Sequence, residues 1–317
     1  MRVLFVDTIH PYLWDALTAD GHECIDVTSL SKHQVMDQLI GVHGVVIRSR
    51  FLLDKEFLDK AVDLRFIARS GAGMENIDVA YATTKGIHCL NSPEGNRDAV
   101  AEHALGMLLL LFNNLSRADR EVRDGSWNRE SNRGVELSGK TVGIIGYGNM
   151  GASFAKRLTG FNCEVLAYDP YLEKLPNTFA KKVELKELYS KADVVSLHIP
   201  LTKETEYFVD LEFLQSFEKS IWLINTSRGK CLRIADLVSA MKAGKVYGAC
   251  LDVLEFEDLS FEKFDIRNSA FSESEDWAFL IKSDKVVFSP HIAGWTKESH
   301  LKLSSVLYEK IKQSCPE

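Results

Sequence analysis

The amino-acid sequence predicts an α/β protein of two doubly wound, parallel-sheet domains with a cleft between them. Three observations predict it. Short apolar runs alternate with helix-period segments through about the first ninety residues, the pattern of parallel strands joined by covering helices. A second series of the same kind opens at Gly146-Tyr147-Gly148-Asn149-Met150-Gly151. A chain of 317 residues is long enough to bury two separate cores.

Taken in order, residues 2–6, 24–27, 45–48, 64–68 and 87–90 read as strands, with amphipathic segments between them. Asn91-Ser92-Pro93-Glu94-Gly95-Asn96 reads as a turn-rich break and a hinge, followed by one long helix from Asp98 to about Arg123. The apolar stretch in that helix, Ala104 to Phe112, is too short to span a bilayer and follows Glu102 and His103, so it reads as a buried or interface helix. His103 itself reads as structural or as part of a dimer contact. Strands are expected near 142–145, 164–168, 193–198, 221–225, 247–252 and 286–288, with a helix over 234–243. Residues 256–284 break the rhythm. They are acidic and aromatic (Phe256, Phe261, Phe264, Phe271, Trp277) and read as a surface excursion. A last helix over 296–313 is expected to return to the first domain.

Composition narrows the function classes. A net charge of −7 argues against nucleic acid or an anionic membrane as partner, because either needs a positive footprint. An anionic small molecule would have to be drawn in by local arginines. The six cysteines (Cys24, Cys89, Cys163, Cys231, Cys250, Cys315) form no C-x-x-C pair or metal-ligand cluster and read as reduced packing residues. No metal site is expected. The opening MRVLFVDTIH lacks the apolar core and cleavage site of a signal peptide. A cytoplasmic location is expected.

The glycine-rich turn carries the first chemistry. A β-branched run (Val142, Ile144, Ile145) passes directly into the turn and then into a helical pattern through Phe154 and Leu158. Gly146 suits the tight turn, Gly148 close approach of backbone to a pyrophosphate, and Gly151 helix-on-strand packing. The helix N-terminus then faces the phosphate charge. Asp169 ends the next strand eighteen residues after Gly151, where a dinucleotide site needs an acid for the adenosine ribose. A carboxylate followed by Pro170, with no basic residue beside it, favours NAD over NADP.

Hydride transfer to a 2-keto acid needs a cation for the carboxylate, a proton donor for the carbonyl oxygen and a group that tunes the donor. Each type occurs after a predicted strand: Arg228 in Asn225-Thr226-Ser227-Arg228-Gly229, Glu255 and Glu257 after Leu251-Asp252-Val253, and His291 in Ser289-Pro290-His291-Ile292-Ala293-Gly294. Arginine grips a carboxylate in a two-pronged fork that lysine cannot copy. Histidine exchanges protons near neutrality. Taken singly, such an arginine is commonly a surface ion pair and such a histidine a packing residue.

Together with Ser196-Leu197-His198-Ile199-Pro200, these motifs resemble the D-isomer-specific 2-hydroxyacid dehydrogenase family, in the family's order from about Val45 to Thr296. The resemblance implies two flavodoxin-like or Rossmann-like domains, a homodimer and NAD as cofactor. It divides the chain into a substrate-binding domain over 1–97 plus 291–317 and an NAD-binding domain over 98–290. It implies that Arg228 orients the substrate, His291 is the acid/base, and Glu257, at the family's spacing of five residues from Asp252, holds the imidazole in place of Glu255. Asp258 stands where the family often has proline. Gly146, Gly148, Asn149, Met150 and Gly151 are implied at the pyrophosphate, Asp169 at the ribose, Ile199 and Pro200 beside the adenine, and Thr226, Ser227 and Asp252 at the nicotinamide. Ala72 and Gly294 complete the cofactor set. His198 is assigned to packing.

Arg69-Ser70-Gly71-Ala72-Gly73 resembles the loop whose backbone amides take the substrate carboxylate. Val46-Ile47-Arg48-Ser49-Arg50 and Asp124-Gly125-Ser126-Trp127-Asn128-Arg129 resemble the phosphoglycerate-oxidising branch, which implies that Arg48, with Ser49 beside it, Arg69 and Arg129 face a substrate phosphate, Arg129 from a neighbouring subunit. The expected reaction is 3-phospho-D-glycerate to 3-phosphohydroxypyruvate, in serine biosynthesis. The alternatives are a glyoxylate or hydroxypyruvate reductase, a D-lactate-type dehydrogenase, or a non-enzymatic NAD-sensing scaffold. A chain ending soon after Ser314 is expected to have no C-terminal regulatory domain.

Overall fold

The computed structural model describes residues 1–257 and 270–315. Asp258, Phe261 and Phe264 lie outside the described residues. The chain divides into two compact units, one of residues 1–97 with 295–315, the other of residues 98–257 with 270–294.

In the first unit the elements alternate as β1 (Arg2–Phe5), α1 (Tyr12–Ala19), β2 (Glu23–Asp26), α2 (Lys32–Met36), β3 (Gly44–Ile47), α3 (Lys55–Lys60), β4 (Phe66–Arg69), α4 (Val79–Thr84) and β5 (His88–Asn91). The strands are parallel and ordered β2-β1-β3-β4-β5. Consecutive residues feed opposite faces: Leu4, Val45 and Ile67 pack into one core cluster, Val3, Phe5, Val46 and Phe66 into another. Two-sided burial explains why these strands read as continuous apolar runs. Chain connections leave β1 in one direction to β2 and in the other to β3, so a topological switch point lies between β1 and β3.

The expected break at residues 91–96 is corrected. Helix α5 (Pro93–Phe112) starts inside it, with Pro93 as its first residue, a position where the missing N–H costs nothing and the fixed φ is already helical. The expected single helix to Arg123 is corrected too. Asn114 adopts a left-handed φ of 52°, and α6 (Leu115–Arg123) leaves at a bend of 60°.

The second unit runs β6 (Thr141–Ile145), α7 (Asn149–Leu158), β7 (Glu164–Tyr168), β8 (Lys181–Lys182), α8 (Leu185–Lys191), β9 (Val194–Leu197), α9 (Leu211–Gln215), β10 (Ile221–Asn225), α10 (Ile234–Lys242), β11 (Val246–Leu251), α11 (Glu275–Lys282) and β12 (Val286–Phe288). Its parallel sheet has the order β12-β11-β10-β9-β6-β7-β8, with the switch point between β6 and β9. Ile145, Val195, Leu223 and Leu251 pack on one face; Ile144, Val194, Ile224 and Cys250 pack on the other. All six cysteines are thiols outside any disulfide, and burial pushes the Cys250 thiol well up.

The terminal helix α12 (Lys297–Ser314) starts at a reciprocal cap between Thr296 and Ser299. It returns to the first unit, where Leu307 and Ile311 are buried with Val3, Phe5 and Leu13. The chain passes back at residues 294/295, whereas the sequence suggested 290/291. The reason is local: the Ile292 and Ala293 N–H groups both donate to the Asp252 carboxylate at the end of β11, at 2.9 Å, which ties residues 291–294 to the second sheet.

Candidate active site

The glycine turn sits at the switch point of the second sheet. Gly146 has φ 86°, and a Cβ on it would lie 2.6 Å from the His198 carbonyl oxygen. A Cβ on Gly151 would lie 2.1 Å from the Gly146 carbonyl oxygen. Side chains are therefore excluded at both positions, which lets α7 start tight against the turn. Gly148, the N-cap of α7, faces open space, with nothing within 4 Å of a Cβ. That leaves the first amides of α7, beginning at Asn149 and Met150, able to receive an anion. Asp169 leans back on the same turn: its Oδ2 accepts from Tyr147 N at 2.8 Å and its Oδ1 from Tyr171 N at 3.0 Å. The Tyr147 ring is buried and its hydroxyl donates to Asn177 Oδ1 at 2.7 Å, and burial pushes its pKa up to about 12.

Across the switch point, β9 delivers His198, Ile199 and Pro200. His198 packs on Phe154 and shares a 2.8 Å hydrogen bond with the Ser196 hydroxyl. Burial holds its pKa down to about 3, so the ring is neutral at physiological pH. Its role is packing. After β10, Asn225 Oδ1 accepts from both the N–H and the hydroxyl of Ser227, and Asn225 Nδ2 donates to Arg228 O. Arg228 Nη1 donates to Ser227 O at 2.7 Å. Gly229 is required here because a Cβ would fall 1.8 Å from Leu254 O; glycine brings the arginine loop against the loop that follows β11. Thr226 Oγ1 is buried and without a hydrogen-bond partner. An unsatisfied buried hydroxyl at a strand end fits a ligand that supplies its partner.

The loop after β11 pairs with the loop after β12. His291 Nδ1 lies 2.7 Å from Glu257 Oε2. A carboxylate only accepts, so Nδ1 carries the proton toward Glu257. Glu257 Oε1 also accepts from Leu254 N. Glu255 points elsewhere, accepting from Ile234 N at 2.9 Å at the start of α10. His291 has a left-handed φ of 54°, and its N–H donates to Asp252 O at 2.7 Å. The buried Asp252 carboxylate accepts from the Ser289 hydroxyl at 2.6 Å as well as from Ile292 and Ala293 N–H. His103 Nε2 reaches Ser289 Oγ at 2.8 Å. This clamp on the His291 loop was not legible in the sequence. Ser289 stood inside a recognisable motif, whereas His103 gave no signal beyond an apolar helix. Gly294 ends the loop.

The first unit gathers another set. Asp7 Oδ2 accepts from the backbone N–H groups of Arg48, Ser49 and Arg50 at 2.5, 3.0 and 3.3 Å, which shapes the turn after β3. Arg69 Nε donates to Arg48 O at 3.0 Å, and Arg50 is spent on Val6, Val27 and Leu30 carbonyls. Gly71 has φ 149°, and a Cβ there would lie 1.9 Å from Arg69 Nη1. The Ser70–Gly73 loop is pinned by Ser70 N to Ile47 O, Ser92 N to Gly71 O and Asn91 Nδ2 to Ala72 O. Arg129 stands exposed on the loop after α6, in the second unit. Among the described residues no group of histidine, cysteine and carboxylate side chains is arranged to hold a metal.

Two doubly wound parallel units, one with a glycine turn facing a ribose-distance acid, define a dinucleotide-binding α/β protein. Residues 105–293 match the family model for the NAD binding domain of the D-isomer specific 2-hydroxyacid dehydrogenases, and the chain belongs to that family. It is 34% identical over 98% of its length to a D-3-phosphoglycerate dehydrogenase of Archaeoglobus fulgidus, and spans 56% of that relative's length. It is 35% identical to a hydroxypyruvate reductase of Thermotoga maritima, covering 91% of this chain and 90% of the relative. Among solved structures, a D-lactate dehydrogenase from Aquifex aeolicus complexed with NAD and lactic acid superposes with a TM-score of 0.82 at 27% identity, covering 98% and 94% of the two chains.

Proposed function

We propose that the chain is an NAD-dependent oxidoreductase acting on a D-2-hydroxy acid, with 3-phospho-D-glycerate and 3-phosphohydroxypyruvate as the favoured pair, in serine biosynthesis, as a cytoplasmic homodimer. The observation that carries the reaction class is the 2.7 Å His291–Glu257 pair, beside a strand-end loop bearing Arg228. NAD supplies the hydride acceptor. In oxidation His291 Nε2 takes the hydroxyl proton, and Glu257 stabilises the imidazolium that forms. In reduction the same proton returns to the carbonyl oxygen. Arg228 binds the carboxylate in a fork and draws charge toward the carbonyl oxygen. In the first unit, the amides of the Ser70–Gly73 loop are read as substrate-binding on the family likeness alone.

Arg48 and Arg69, joined at 3.0 Å through the Arg48 carbonyl, support a phosphorylated substrate, as does the likeness to D-3-phosphoglycerate dehydrogenases. The equal likeness to a hydroxypyruvate reductase, over nine-tenths of its length, supports the second reading of a small 2-keto acid reductase. NADH oxidation measured against phosphohydroxypyruvate, hydroxypyruvate, glyoxylate and pyruvate separates them. The first reading expects the phosphorylated substrate to lead, with the lead lost in Arg48→Ala and Arg129→Ala. A lead for hydroxypyruvate or glyoxylate, untouched by either substitution, establishes the second. No oxidation with any of them rejects both.

A further inference from the structure

Among the described residues, the non-glycine positions with a left-handed φ are Asn114, Asn162, His291 and Tyr207. Asparagine tolerates that conformation, and His291 belongs to the candidate site. Tyr207, at φ 55°, is a bulky side chain where glycine would sit without strain. Such strain persists only where the surroundings impose it, and it gathers at functional sites. Three contacts of Tyr207 run to the loops that carry the candidate chemistry. Its N–H donates to Lys230 O at 2.7 Å, two residues beyond Arg228. The Arg233 guanidinium lies over its ring, 4.7 Å from the centroid, and Arg233 is the N-cap of α10, where the arginine loop ends. Its hydroxyl donates to Glu255, a hydrogen bond that pushes the phenol pKa up and keeps the proton on Tyr207. Glu255 in turn stands two residues before Glu257, the partner of His291.

We propose that Tyr207 is a positioning residue of the oxidoreductase: it ties the loop after β10 to the loop after β11 and so fixes how Arg228 is presented to a substrate carboxylate. The proposal rests on the reading of Arg228 as the carboxylate's partner. The arginine loop is already fixed at its near end, where Asn225 holds Ser227 and the Arg228 carbonyl. Its middle lies against the second loop at Gly229, where a Cβ would fall 1.8 Å from Leu254 O. Tyr207 fixes the far end. The pairing continues on either side of Leu232, with Val209 N donating to Cys231 O and Arg233 N to Val209 O, both at 3.0 Å. Glycine at position 207 would satisfy the φ and the N–H bond to Lys230. It would supply neither the ring under Arg233 nor the hydroxyl at Glu255, and these two contacts are what a strained tyrosine adds.

The test compares Tyr207→Gly and Tyr207→Phe in the full chain, reading NADH affinity by fluorescence and kcat and KM for the 2-keto acid that the native chain reduces fastest. Glycine keeps the N–H and relieves the backbone, so NADH affinity should hold. Its kcat/KM should fall by about ten- to a hundredfold, with KM raised and kcat lowered together, the scale of a misplacement of about 1 Å. Tyr207→Phe keeps the ring under Arg233 and should recover part of that loss. A kcat/KM within about twofold of native in Tyr207→Gly overturns the proposal, as does a loss of NADH affinity equal to the loss in kcat/KM. In an Arg228→Lys background, which keeps a cation without the fork, Tyr207→Gly should add less than about twofold; an undiminished loss there overturns an action through Arg228. Arg228→Ala tests the underlying reading separately. Turnover retained in Arg228→Ala rejects Arg228 as the carboxylate's partner, whereas turnover lost there and kept in Tyr207→Gly overturns the role of Tyr207 alone.

Discussion

His291 is held from three directions, and each contact makes a different demand on a substitution. The ring meets Glu257, the backbone N–H meets Asp252 O, and the residue sits at a φ of 54°, a conformation that L side chains adopt only when the surroundings impose it. His291→Ala is expected to lower turnover by about two to four orders of magnitude while NADH binding, read by fluorescence, persists. Glu257→Gln removes the charge that favours the protonated ring, so the alkaline limb of carbonyl reduction should move to lower pH. Glu255→Gln loses only an acceptor for Ile234 N and should leave that limb in place. A limb that moved with Glu255 and stayed with Glu257 would reverse the assignment. Asp252→Asn tests the clamp: an amide cannot accept from Ser289, Ile292 and Ala293 together, so kcat should fall through displacement of His291 although the histidine itself is retained.

At the scale of elements, the turn between β6 and α7 and the end of β9 depend on one another. Gly151→Ala places a Cβ 2.1 Å from the Gly146 carbonyl oxygen, which is backbone and cannot swing away, so α7 must shift. NADH affinity should fall by about tenfold or more, measured by titration. His198, on the opposite side of the switch point, gives a pH signature. Its folded pKa near 3 lies below the unfolded value of about 6.5, so the unfolded chain binds the extra proton first. Stability is therefore full above about pH 6.5 and declines as the pH falls toward 3, with roughly 2 kcal/mol lost by pH 5. Chemical denaturation should show that loss in the native chain and not in His198→Gln. The elements were legible where local chemistry acts alone: strand runs such as Val45–Ile47, the glycine turn, and the motif around His291. The helix start at Pro93 was misread because Ser-Pro-Glu-Gly is equally turn chemistry, and only the packing of Gly95 against Leu303, with a virtual Cβ 2.6 Å from its nitrogen, shows why glycine is there. The His103–Ser289–Asp252 clamp was hidden because it depends on contacts made far along the chain, and the break at Asn114 because nothing in the apolar run before it marks a left-handed residue.

The whole molecule carries its stability in two places, since each sheet is covered on both faces by its own helices and each unit has its own pair of core clusters. The last helix contributes Leu307 and Ile311 to a core cluster of the first unit. Leu307 is fully buried among Val3, Phe5 and Leu13, so Leu307→Ala should destabilise the first unit by about 2–5 kcal/mol, the cost of lost transfer energy plus a cavity. NADH, bound at the glycine turn, should stabilise the second unit by about 2.7 kcal/mol at a hundredfold excess over its dissociation constant. Hydrogen exchange resolves the two effects by position. In Leu307→Ala the amides of β1, β3 and β4 should exchange faster, while NADH should slow exchange in β6, β9 and β10 of both native and substituted chains. Uniform acceleration across both sheets, or protection by NADH spread evenly over them, would mean that the two cores unfold as one cooperative body, and the separate ledger of stability argued from the core clusters would be wrong.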